Sequence, residues 1–435
     1  MALRVVGQRF ERYDGLEHVT GQTRYVDDIS LPGTLVVKAL RSPVIRGRIR
    51  ELDVSAAEKA PGVAGVITHL DVPQNRYGLI PDQPVLVEET AMYRGEPIAA
   101  LAAENEAAAL EALEKIRLVM DEEPGVLDVR EAMKPEAPRL RPQGNQHFYG
   151  DKPFRLVEQG DVAAGLAQAD LIVEGEYLHP AQQHAQLETQ VCLAVPSASG
   201  RLTIHTVSQD LQFHLKLLCG ILQMPASKIR YAGGTVGGSF GAKNDLHADH
   251  VTALLALKTG RPCKWRWTRE EELLYSTCRG AWHVKIRDGV KKDGRIIARD
   301  IEAIRDSGAY ALRDVGIVDK FCFLASGPYL IPNVRVKGHL VYTNKPPASS
   351  MRGYGITPST YSVELQMNKI AARLNLDPWE IRLLNAYRRG DRTITGRTLN
   401  SVAVAEVLKA LAEEAGVELP ERLRRQISEP RGADR

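Results

Sequence analysis

The sequence predicts an α+β chain of two unequal domains, and three observations carry that prediction. The first 130 residues mix short β-like runs with one clear helix, residues 131–152 are crowded with Pro, Gly, Asn and Gln, and strand-like and helix-like stretches alternate beyond them. The last part of the chain, up to a charged tail over 421–435, is helical in pattern.

In the first domain, Leu35-Val36-Val37-Lys38-Ala39-Leu40 and Val63-Ala64-Gly65-Val66-Ile67 are aliphatic runs between Gly/Pro turns and read as strands. Residues 104–115 are rich in Ala, Leu and Glu, which favour helix, and give way to a strand at 116–120. Lys134-Pro135, Ala137-Pro138, Arg141-Pro142 and Gly144-Asn145-Gln146 make 131–152 an exposed connector that buries little, placing a domain boundary there. The second domain, 153–420, opens with strand-like runs such as 202–207 and helix-like runs such as 211–222. A hairpin spans 282–290 and 295–305, because Asp293-Gly294 supplies the positive φ of a tight turn. Pro358 suits the first turn of a helix running to 374, Asp377-Pro378 starts another to about 387, and Val404, Val407, Leu408 and Leu411 mark a last amphipathic helix over 401–415.

Composition excludes several classes. The chain has 435 residues, 44% of them apolar, and 57 Lys+Arg balance 54 Asp+Glu without any basic block, so no nucleic-acid partner is expected. No stretch of 18 uncharged apolar residues occurs, and Arg9 and Glu11 interrupt the N-terminus before any signal-like run, which predicts a cytoplasmic chain with no membrane partner. Five cysteines, odd in number and without C-x-x-C spacing, argue against a disulfide framework, a zinc site or an iron–sulfur cluster held by this chain.

Two loops could carry chemistry. Gly233-Gly234-Thr235-Val236-Gly237-Gly238-Ser239-Phe240-Gly241-Ala242-Lys243 lets backbone approach a ligand closely, but it lacks the ending of a phosphate-binding loop and the spacing of a dinucleotide fingerprint. By composition alone it is a cofactor loop or a tight structural turn. Ser350-Met351-Arg352-Gly353-Tyr354-Gly355 puts one Arg and one aromatic between glycines ahead of a helix, either to meet anionic oxygens or as an exposed turn.

Together the loops resemble the molybdenum hydroxylases of the xanthine dehydrogenase and aldehyde oxidase family, with their Gly-Gly-x-Phe-Gly-Gly-Lys and Phe-Arg-Gly-Phe-Gly loops. Further similar stretches follow in the same order: Tyr13-Asp14-Gly15 to Asp28, Tyr93 to Ala99, His184 to Thr189, and Gly327 to Asn333. The resemblance runs from about Gly7 to Gly416 but covers only the first half of the usual fused molybdenum subunit. It implies an α/β-hammerhead-like domain over 1–130 and a first, mixed α/β molybdopterin-binding domain over 153–420. The family's Val-Gly-Glu motif, which holds its catalytic glutamate, does not occur here. That departure suggests the split arrangement of nicotinate dehydrogenase, with the glutamate on a second molybdopterin-binding chain. The helix start at Leu399-Asn400-Ser401 and the charged terminus fit a natural chain end.

The resemblance assigns cofactor contact to Gln209, Gly238, Ser239, Phe240, Gly241 and Arg352. Gln209 matches the glutamine that donates an amide N–H, and Arg352, given the catalytic role, matches the arginine that steadies negative charge on oxygen. Asn244, Lys320 and Tyr354 stand at substrate-facing positions where purine-oxidising members carry Glu, Arg and Phe. Asn lacks the charge of Glu and Lys is a point charge instead of a planar fork, so xanthine is disfavoured and a carboxylate-bearing substrate such as nicotinate suits Lys320. Ser239 at the variable loop position and Ala242 in place of glycine are small changes that the loop should tolerate.

The implied activity is hydroxylation of an electron-poor carbon of an N-heteroaromatic, nicotinate- or purine-like, or of an aldehyde, with oxygen from water. The implied cofactor is molybdenum in a molybdopterin, in its cytosine dinucleotide form, with [2Fe–2S] and FAD on partner subunits and no metal ligand from side chains here. Two alternatives are a non-catalytic cofactor-binding or assembly protein of the same family and a general α/β binding module. His247 and His250 with Asp245 and Asp249 are read as a polar helix start instead of a metal site, Trp265 and Trp267 as sheet packing, and Glu188 as structural.

Overall fold

A computed structural model describes residues 4–419, so the charged tail over 421–435 lies outside the described residues. Two sheets organise the chain. The larger has seven strands in the order Ile229–Gly233, Leu202–Thr206, Val191–Pro196, Cys263–Arg266, Leu35–Arg41, Pro97–Ala103 and Val63–Ile67. It joins strands from both sides of the Pro-rich segment: Leu35 pairs with Cys263 and Val36 with Lys264 in a parallel ladder. Helices Leu211–Leu222 and Asp249–Thr259 pack under its later strands, with Leu218, Ile221, Val251 and Leu255 against Ile204 and Trp265.

The second sheet has five strands in the order Leu171–His179, Trp282–Val290, Ile296–Gly308, Asn333–Tyr342 and Arg155–Gln159. Its hairpin turns at Asp293-Gly294 as the sequence predicts, with Gly294 at φ +92. Ile296–Gly308 and Asn333–Tyr342 run parallel, which demands a crossover, and helix Asp314–Leu324 provides it. Trp282 stacks on Phe321 of that helix at 4.6 Å, in a core closed by helix Ile356–Leu374. A fully buried ion pair crosses the hairpin, Arg299 Nε to Asp288 Oδ1 at 2.8 Å and Nη2 to Oδ2 at 2.9 Å.

The outward face of this sheet is charged in a strict alternation of strands. In register, Glu174 faces Arg287, which faces Asp300, which faces Arg335, which faces Glu158. A second row runs Glu176, Lys285, Glu302, Lys337. Opposite charges on neighbouring strands support each other, so this face is finished against water.

Half of the α-helices among the described residues start at a side chain that caps them. Asp210 accepts from Phe213 N at 3.2 Å, Asn105 from Ala108 N at 2.9 Å and Asp377 from Trp379 N at 2.7 Å, with Pro378 in the first turn of helix Pro378–Asn385. The last helix is shorter than expected, Val404–Glu414, since Ala403 at its N-cap offers no cap. The Pro-rich segment is mostly exposed or half-exposed, and a few buried residues anchor it to the body of the protein. Leu140 and Asn145 are buried, Asn145 Oδ1 accepts from Leu140 N at 2.7 Å, and the Arg141 guanidinium lies 4.9 Å from the Tyr310 and Tyr342 ring centres. No helix among the described residues is long and apolar enough to cross a membrane.

Candidate cofactor site

Strands Leu202–Thr206 and Ile229–Gly233 are parallel neighbours, with Thr206 opposite Gly233, so the chain leaving each emerges at the same edge of the sheet. One exit leads to Gln209 and the other to the glycine loop. The polypeptide therefore brings Gln209 and the glycine loop together without any long-range coincidence. Gln209 N donates to Lys243 O at 2.9 Å. The Gln209 carboxamide oxygen accepts from Ser239 Oγ and, at 2.9 Å, from Gly241 N. An oxygen that already receives two donors fixes the amide orientation, and the exposed side chain is left with its NH₂ to offer outward.

The Arg352 loop docks directly on the glycine loop. Arg352 N donates to Phe240 O at 2.8 Å. Gly241 sits at φ +113, and a Cβ there would come 2.5 Å from Ser350 O, so only glycine allows this approach. Phe240 and Tyr354 hold positive φ of 57 and 49 although neither is glycine, a costly conformation that the interlocking loops maintain. His184 Nε2 lies 2.7 Å from Ser350 O, and Arg279 Nη2 donates to Arg352 O, bracing the second loop from behind. Phe240 projects into solvent, and the Arg352 side chain is exposed with no hydrogen-bond or ion-pair partner among the described residues.

A buried polar layer supports the loops. Lys243, fully buried, donates to Glu188 Oε2 at 2.6 Å, and the same oxygen accepts from Gly237 N at 2.8 Å. Burial lowers the Lys243 pKa, an effect Glu188 opposes. Below them Glu272, also fully buried, accepts from Gln186 Nε2 at 2.6 Å and Gln190 N at 2.9 Å, while Gln190 Nε2 donates to Ala242 O at 2.9 Å. Glu188 is structural in these contacts, as the sequence suggests. Gln190 and Glu272 were not singled out from sequence, where nothing local marks a buried carboxylate.

Lys320, on helix Asp314–Leu324, is exposed, and its ammonium lies 5.9 Å from the Tyr354 ring centre. Tyr354 donates its hydroxyl to Arg313 O at 3.2 Å, and burial raises its pKa. Arg313 is the residue sequence reasoning missed. Its Nη2 donates to Asn244 O at 2.9 Å and Asp210 Oδ2 at 3.1 Å, and its guanidinium stacks 4.4 Å from the Phe213 ring centre. It ties the Gln209 turn, the end of the glycine loop and Tyr354 into one unit. Asn244 thus presents its carbonyl to Arg313, with its neutral side chain half-buried.

The expected polar helix start is present, with Asp249 in the first turn of helix Asp249–Thr259, and it lies inside the protein: His250 and Asp249 are buried and burial drops the His250 pKa to about 4. His247, against Trp267, is also shifted down by burial. No group of three or more His, Cys, Asp or Glu among the described residues is placed to hold a metal. Trp265 and Trp267 are buried around the Arg41 guanidinium, 5.5 and 5.0 Å from its carbon, and serve packing. All five cysteines are free.

The architecture and the paired glycine-rich loops define a cofactor-binding chain of the molybdopterin class. The chain belongs to the aldehyde oxidase and xanthine dehydrogenase family: residues 145–386 match its molybdopterin cofactor-binding domain and residues 20–124 its a/b hammerhead domain. It is 36% identical to a probable xanthine dehydrogenase subunit of Bacillus subtilis, over 92% of this chain and 54% of that protein. It is 34% identical to the nicotinate dehydrogenase large molybdopterin subunit of Eubacterium barkeri, over 94% of this chain and 96% of that one. The solved aldehyde oxidoreductase of Desulfovibrio gigas superposes with a TM-score of 0.88 at 29% identity, over 94% of this chain and 46% of that one. The chain therefore spans about half the length of two of these relatives and nearly all of the third.

The residues present suit a molybdopterin on three counts: the Gln209 amide is oriented as an outward donor, Gly241 allows close approach of the two loops, and Arg352 is a free cation beside them.

Proposed function

We propose that this chain is one half of the cofactor housing of a split molybdenum hydroxylase, completed by a second molybdopterin-binding chain that brings the catalytic glutamate. The observation that carries this reading is the Gln209 carboxamide, whose oxygen is held by Ser239 and Gly241 so that only its N–H donors face outward beside Phe240 and Arg352. Gln209 and the backbone of Gly238, Ser239, Phe240 and Gly241 would hold the cofactor. When bound, molybdenum in molybdopterin, read as the cytosine dinucleotide form, supplies the two-electron chemistry of hydroxylation with water-derived oxygen. Arg352 would steady negative charge that develops on the substrate as its carbon is attacked, acting as the catalytic residue of this chain.

Asn244, Lys320 and Tyr354 would line the substrate side. A neutral Asn with a Lys and an Arg that have no ion-pair partner among the described residues favours an anionic ring, so a nicotinate-like N-heteroaromatic is preferred over a purine or a neutral aldehyde. The name of the Eubacterium barkeri relative agrees with that preference. Electrons would leave through [2Fe–2S] and FAD carried by partner subunits in the cytoplasm, since five dispersed cysteines offer this chain no cluster ligand set.

Purification of the tagged chain from its native host, with assay of molybdenum, iron, flavin and co-purifying polypeptides, tests the reading. Molybdenum in fixed ratio with a second pterin-binding chain and an iron–sulfur chain is the expected result. A stable chain that carries neither molybdenum nor partners overturns it.

A further inference from the structure

Resting on that reading of a split housing, we propose that residues 4–20 form an apolar strap that docks on the second molybdopterin-binding chain and secures the assembly beside the glycine loop. Val5, Val6, Phe10, Tyr13, Leu16 and Val19 are all exposed, Tyr13 at 99% and Val19 at 83%, and helix Gly15–Thr20 buries no residue at all. So dense a row of large apolar side chains in contact with water is unusual for a chain complete in itself. Three polar side chains of the strap, Arg12, Asp14 and His18, meanwhile satisfy one another. Arg12 Nη2 donates to Asp14 Oδ2 at 2.9 Å and lies 2.7 Å from His18 Nε2, and the Arg12 guanidinium brings the Asp14 pKa down to about 2. Their charges need no outside partner, whereas the apolar groups do.

The strap's position names the occupant. Just after the helix, Tyr25 bridges to Thr235 of the glycine loop, and Val26 fills the space beside Gly234, whose Cβ would come 2.8 Å from Val26. Leu187, 92% exposed, and Phe240 extend the uncovered apolar surface around the same loop, with Leu187 N 3.8 Å from where a Cβ on Gly238 would lie. The chain covers 96% of a molybdopterin subunit but 46% of an aldehyde oxidoreductase chain, which is about twice as long. In a split protein the missing half must find this edge from solution. An apolar strap rooted in the glycine loop gives it a hydrophobic purchase contiguous with the site it completes. The outer face of the five-stranded sheet, by contrast, is closed by its own charges and asks for no cover.

The test is a pull-down of full-length tagged chain from the native host, wild type against the double variant Leu16→Glu/Val19→Glu, scored by the amount of second pterin-binding chain recovered. The double variant should recover about tenfold less, the loss expected when two apolar interface anchors become charges. Its thermal midpoint as an isolated chain should match wild type, because these side chains bury nothing in it. Hydrogen exchange of the wild-type complex supplies a measurement without mutation: amides of 4–20 should be protected on assembly. Full recovery with the variant, or unprotected amides in an intact complex, overturns the strap while leaving the split housing standing. Absence of a second chain from wild type as well overturns both.

Discussion

On the outer face of the five-stranded sheet each cation stands opposite at least one acid, whereas Arg352, whose loop docks on the glycine loop, and Lys320, near the Tyr354 ring, have no carboxylate partner among the described residues. The sheet face uses unstrained strands and short cross-strand reach. The loop face holds two non-glycine residues at positive φ and a buried Lys243–Glu188 pair to keep its cations where they are. A finished surface neutralises itself; a site leaves charge unpaired and holds it against the cost. Where the chain spends conformational strain to present a lone guanidinium, an anionic group belongs there.

The largest test of this contrast lies inside the sheet. Asp288→Ala would strand the fully buried Arg299 guanidinium, and the fold should lose about 3–5 kcal/mol in urea unfolding. Asp288→Ala combined with Arg299→Met removes both charges and should regain most of that loss. If the single variant costs under about 1 kcal/mol, charge pairing does not organise this region.

Arg352→Ala comes next and should behave in the opposite way. The guanidinium is exposed and has no hydrogen-bond or ion-pair partner among the described residues, so the thermal midpoint should hold, while turnover of the molybdenum-loaded complex should fall by about 10²–10³. A drop in midpoint with unchanged turnover would make Arg352 structural and break the comparison.

A buried acid between the two domains gives a pH test. Glu96 accepts from Met92 N and Tyr310 Oη, both at 2.6 Å, and burial raises its pKa to about 7. The folded state then holds a proton that the unfolded state has released above about 4.5, so Glu96 erodes stability as pH rises from about 4.5 to 7 and the loss is complete above that. Glu96→Gln should flatten this slope and leave the protein about 2–3 kcal/mol more stable at alkaline pH, read from urea unfolding across the range. An unchanged slope would assign the pH dependence elsewhere.

Elements whose cause is local were legible in the sequence. Asp210 caps helix Leu211–Leu222 at the expected residues, and Asp293-Gly294 turns the hairpin where expected. The ladder between Leu35 and Cys263 was not, because no local pattern reports a strand pairing across two domains. Arg313 was missed for the same reason: its partners Asp210 and Asn244 come from segments distant in sequence, and only the fold makes it a hub. The candidate site residues were named through motif resemblance, while the polar layer beneath their loops, Gln190 and Glu272, carries no sequence mark.

The charge ladder was written in the sequence in a form that needed strand order to read: Glu174-Gly175-Glu176, Lys285-Ile286-Arg287, Asp300-Ile301-Glu302 and Arg335-Val336-Lys337 each repeat one sign at every second residue. Period two puts both charges of a segment on one face, and only the order of strands makes the signs alternate. Arg287→Glu sets like charges opposite both Glu174 and Asp300. Because the row is open to water, the thermal midpoint should drop by no more than about 2 °C, and the drop should shrink in 1 M salt as screening shortens the reach of each charge. A loss of 10 °C that salt does not relieve would mean that this face is packed against something, and the ladder would then have to be counted as an interface and not as finished surface.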